Sequence, residues 1–113
     1  MKNVICVLVC FTLVLLFLVI SPTQADGGGI VINEIMYHPP NDLEAEEYVE
    51  LYNSGGTPVD LSGWKFTKGI SYTFPEGTTI RPDNYLVICR SMNGFRAAYG
   101  RGGKVLGDFA GRL

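Results

Sequence analysis

One histidine, His38, and three cysteines are the only imidazole and thiols in this 113-residue chain. Cys6 and Cys10 lie in an apolar leader, so a chain that loses the leader keeps Cys89 alone and forms no intrachain disulfide. Cys89, between Ile88 and Arg90 at a strand end, reads as a small buried filler. A catalytic triad needs an imidazole oriented by packed neighbours, whereas His38 precedes Pro39-Pro40 in a loop-forming run. Hydrolytic chemistry is therefore disfavoured, and no catalytic residue is assigned. An excess of positive charge is missing too: nine basic residues meet eleven acidic ones, which argues against wholesale binding of nucleic acid or anionic membrane. Gly100-Arg101-Gly102-Gly103-Lys104 lacks the first glycine of a phosphate loop and is followed by Val105 instead of Ser or Thr. No Asn-x-Ser/Thr sequon occurs.

What is present begins with a leader. Lys2 precedes an apolar run from Val4 to Ile20, broken only by Thr12, and Ser21-Pro22-Thr23-Gln24-Ala25 follows. This pattern predicts a secretory signal helix over residues 1–25, cleaved after Ala25. The competing reading is an uncleaved anchor, for which the run is slightly short of the roughly 20 apolar residues a bilayer needs. Val9 before Cys10 excludes a lipid-attachment site. The expected location is secreted or cell envelope, with no membrane span once the leader is gone. Residues 26–29 form a Gly-rich spacer, and residues 30–113 are one domain.

Within that domain, short β-rich runs alternate with turn signals. Ile30 to Met36 reads as a strand, closed by Pro39-Pro40. In Tyr48 to Asn53, Tyr48, Glu50 and Tyr52 face one way and Val49 and Leu51 the other. Leu61-Ser62-Gly63 is a tight corner that leads Trp64 and Phe66 into a strand, and Pro75-Glu76-Gly77 and Arg81-Pro82-Asp83-Asn84 are turns. Tyr85 to Cys89 is almost wholly apolar and is expected as a central strand buried on both faces. Residues 91–99 make the one helix, capped by Ser91 and stopped by Gly100. Val105-Leu106 is a short strand and Phe109 a core anchor. The fold class is all-β, an immunoglobulin-like sandwich with Trp64, Phe74 and Leu86 at its core.

Ile32-Asn33-Glu34-Ile35-Met36-Tyr37, then Glu47-Tyr48-Val49-Glu50-Leu51-Tyr52-Asn53, then Leu61-Ser62-Gly63-Trp64 stand in an order that resembles the lamin tail domain family of the bacterial, secreted kind. The resemblance implies an immunoglobulin-like, non-catalytic interaction or adhesion module. It further implies attachment to a larger surface or secreted protein, such as a CotH-type kinase-like protein or a nuclease. The family pattern continues past Leu113 with further strands, so the resemblance is to an incomplete domain with an unpaired sheet edge.

Two candidate sites follow. Tyr48, Glu50 and Tyr52 share a solvent face and could form an aromatic platform for a carbohydrate or a protein partner. Glu34, Asp42 and Glu47 belong to an acidic first half that also holds Glu44, Glu46 and Glu50, and hard oxygen donors from neighbouring strands suit Ca²⁺. The commoner outcome for such carboxylates is a solvated face, and no other cofactor is expected.

Overall fold

The computed structural model describes residues 29–113. The predicted signal helix of residues 1–25 and spacer residues 26–28 lie outside the described residues. The described residues form nine strands and one α-helix, with a one-turn 3₁₀ segment at Glu44–Glu46, in this order: β1 (Ile30–Met36), β2 (Tyr48–Asn53), β3 (Val59–Asp60), β4 (Lys65–Phe66), β5 (Ile70–Thr73), β6 (Thr79–Ile80), β7 (Tyr85–Cys89), α1 (Met92–Tyr99), β8 (Val105–Leu106) and β9 (Ala110–Gly111). One layer is the sheet β1-β2-β7-β8 and the other is β4-β5-β9, with β3 and β6 paired beside them. This is the expected all-β sandwich. No helix among the described residues is long and apolar enough to cross a membrane.

The period of two in β2 sets the first layer. Val49 and Leu51 lie opposite Ile88 and Leu86 of antiparallel β7, and all four are buried on the inner face. Ile70, Phe74 and Phe109 meet them from the second layer, and Leu61 and Ile80 close one end. β7 is central, as expected, but its outer side is not uniformly buried: Tyr85 is exposed and Val87 partly so. β7 and β8 are parallel, which a hairpin cannot achieve, and α1 supplies the crossover. Ser91 Oγ accepts the Gly94 amide at 3.2 Å as the N-cap, and Gly100 ends the helix.

Phe74 and Leu86 are core residues, but Trp64 is not: half of its surface, 50 %, is exposed. The corner explains the difference. Leu61, fully buried, is the residue driven inward, while Gly63 takes a left-handed φ of +74° and the Trp64 amide closes a turn onto the Leu61 carbonyl. Trp64 emerges at the start of β4, an edge strand of its layer, so among the described residues no further strand covers its far side.

β1 borders the same opening. A bulge between Ile32 and Glu34 makes Asn33 the extra residue, so Ile32 opposes Leu51 and Ile35 opposes Val49. Both isoleucines therefore face inward, yet they are 53 % and 48 % exposed. Phe66 and Ile70 of the second layer wall the same groove without covering them. The sandwich is open between the edges of β1 and β4.

Candidate interaction surface

The outer face of β2 holds Tyr48, Glu50 and Tyr52 as the alternation requires, but the three residues have different surroundings. Tyr48 lies under α1, edge-on to Phe95 at 5.5 Å and Tyr99 at 5.3 Å between ring centroids. Its hydroxyl donates to Glu34 Oε1 at 2.8 Å, and burial together with that hydrogen bond pushes its pKa far above the ordinary tyrosine value. Glu50 accepts from Asn33 Nδ2 at 2.8 Å. Tyr48 is thus committed to holding the helix. Tyr52 is the freer ring: it pairs with exposed Tyr85 at 4.7 Å while its hydroxyl donates to Asp83 Oδ1 at 2.8 Å. That hydrogen bond is the main reason its pKa is raised. Tyr85 also lines an open cleft of about 700 Å³ with Arg81, Asn84 and Lys104.

The proposed Ca²⁺ ligands do not converge. Glu34 is held by Tyr48, Asp42 sits 3.1 Å from His38 Nε2, and Glu47, only 4 % exposed, faces Arg90 at 3.4 Å. Among the described residues no group of three or more Asp, Glu, His or Cys side chains is placed to hold a metal ion. Pairing wins over coordination because Arg90 reaches into the acidic turn, meeting Glu44 at 2.8 Å as well as Glu47, and Arg112 meets Glu44 at 3.1 Å. Arg90 also donates to the Gly111 carbonyl at 2.6 Å, so one guanidinium links the turn, β7 and β9. His38 and Asp42 form an exposed pair, and the cleft they share contains no serine, threonine or cysteine to serve as nucleophile. Cys89 is fully buried with its thiol pKa raised, chiefly by burial, which makes it inert as the sequence implied.

A mainly apolar opening lies between the layers. Ile32, Ile35, Phe66, Lys68 and Leu113 line a groove of about 410 Å³, which meets a second recess of about 200 Å³ below Trp64 at the shared walls Ile32 and Phe66. Sequence reading did not select these residues as a site. The signal was there in the Ile32, Ile35 spacing, which breaks strict alternation and marks a bulge that keeps both side chains inward.

The Lamin Tail Domain family model matches residues 23–108, most of the chain, beginning just inside the expected leader. The chain belongs to the lamin tail domain family. No curated protein and no solved structure matches it. The lamin tail domain is an immunoglobulin-like family and not an enzyme family, and the layered sheets are in keeping with that fold. The recognised blocks fall on structural positions. Val49 and Leu51 form the inner face, Asn53 is a buried staple and Leu61 is the corner plug, while Trp64 of the same block borders the groove.

Proposed function

We propose that this lamin tail domain is a non-catalytic interaction module of an exported, bacterial-type protein, fastening a larger surface or secreted polypeptide to a protein or cell-surface partner. The observation that carries this reading is the groove between β1 and β4, because contiguous apolar surface on a soluble face marks a place of contact. The leader supports an extracytoplasmic setting, and the scarcity of nucleophile, base and orienting acid supports a binding role. A reporter enzyme exported as a fusion to the full chain tests this. The reporter should remain cell-associated, and Ile32→Asp with Ile35→Asp should release it. Equal release of both fusions would overturn the proposal.

A second reading is favoured by the Tyr52 and Tyr85 rings beside Arg81 and Lys104: a carbohydrate-binding module that takes an acidic sugar. Retention on an acidic polysaccharide column, lost on Tyr85→Ala, is its expected result. Passage without retardation would remove it.

A further inference from the structure

The interaction reading leaves the partner's chemistry open, and the groove narrows it. We infer that the opening between β1 and β4 receives a β-strand from another polypeptide, one in which branched apolar residues alternate with acidic ones.

Four features of the groove lead to this class of partner. Among the described residues β4 pairs with β5 on one side only, which leaves its other edge open to a ladder partner. A strand laid there, about 4.8 Å from β4, turns every second side chain toward the first layer. Ile32 and Ile35 wait on that layer, inward-facing and half-exposed, and the bulge at Asn33 is what holds both of them there. Branched apolar side chains fill such a slot because they favour extended backbone and pack on a pleated surface.

Charge selects the remaining positions. Lys65 and Lys68 line the two recesses, and neither has a carboxylate partner among the described residues, whereas Arg90 and Arg112 are both paired. An incoming strand with Glu or Asp at its outward positions supplies the counter-charges. A basic strand meets like charge there and is rejected.

Trp64, the single tryptophan of the chain, lines this groove and reports its filling. The full chain, recovered from an exporting host, is titrated with a short synthetic peptide alternating Val or Ile with Glu, N-methylated on one edge to prevent self-pairing. A matched peptide carries Lys in place of Glu. The Glu peptide should shift Trp64 emission to shorter wavelength in a saturable manner. Ile35→Asp, at a half-exposed position, should weaken binding about tenfold or more while the far-ultraviolet circular dichroism stays that of the parent chain. Lys65→Glu combined with Lys68→Glu should exchange the preference to the Lys peptide. Absence of an emission shift with either peptide would overturn the inference, as would equal response to both. A blue shift that grows with protein concentration alone, accompanied by dimers, would also overturn it and assign the groove to a second copy of the chain. The inference rests on the interaction-module reading but fails separately from it: a reporter that stays attached while the peptides are silent removes only the strand.

Discussion

Asn53 is fully buried, and every hydrogen-bonding group of its amide is used. Nδ2 donates to the Thr57 carbonyl at 2.8 Å and the Ile80 carbonyl at 2.9 Å, while Oδ1 accepts the Gly55 amide at 2.9 Å. One side chain thereby ties the end of β2 to its turn and to β6. Asn53→Leu keeps the branched outline but strands three backbone groups, so it should destabilise the domain by about 2–4 kcal/mol, read as a lower urea midpoint with the slope unchanged. The tyrosines predict a second behaviour. Tyr48, Tyr72 and Tyr99 have raised pKa values mainly through burial, and Tyr52 mainly through its bond to Asp83. A folded-state pKa above the unfolded one gives stability that is complete below the unfolded value, about 10, and is lost as pH climbs past it. Denaturant midpoints should therefore fall above that pH, and Tyr48→Phe should flatten the fall. An unchanged alkaline slope in the variant would contradict the role assigned to Tyr48.

At the scale of elements, α1 shows both what the sequence discloses and what it withholds. Its extent, its Ser91 cap and its Gly100 stop follow from local chemistry alone, and they stand in the structure. Gly94 has a tertiary reason that local chemistry does not contain. A Cβ built there would lie 2.3 Å from the Ala45 carbonyl oxygen, where the helix crosses the one-turn 3₁₀ segment Glu44–Glu46. In an isolated helix Gly94→Ala gains about 1 kcal/mol. Here backbone meets the new methyl, and the variant should lose about 1–3 kcal/mol, seen as a lower Tm. β2 was legible because its alternation is strict. β9 was not anticipated, since Ala110–Gly111 has no strand-forming character and pairs only because β5 offers Ile70 and Ser71 as partners. Trp64 was misplaced for a related reason: residue size suggests a core anchor, but position at the outer strand of a layer decides exposure, and that is a property of the assembled sheets. The acidic residues were visible as a group, but their pairing with Arg90 and Arg112, far along the chain, was not.

At the scale of the molecule, the two layers are sealed by Leu61, Ile80 and Phe109 but left open between β1 and β4. An exposed edge carrying isoleucines invites aggregation, and the bulge at Asn33 with the charges of Glu34, Lys65 and Lys68 restrains indiscriminate pairing while leaving a selective slot. Amide hydrogen exchange of the full chain, with and without the Glu-alternating peptide, tests this account most directly. The account predicts slowed exchange in β4 and along Ile32 to Ile35, with the far end around Arg81 and Tyr85 unchanged. Slowing confined to that far end, or none anywhere at saturating peptide, would contradict it.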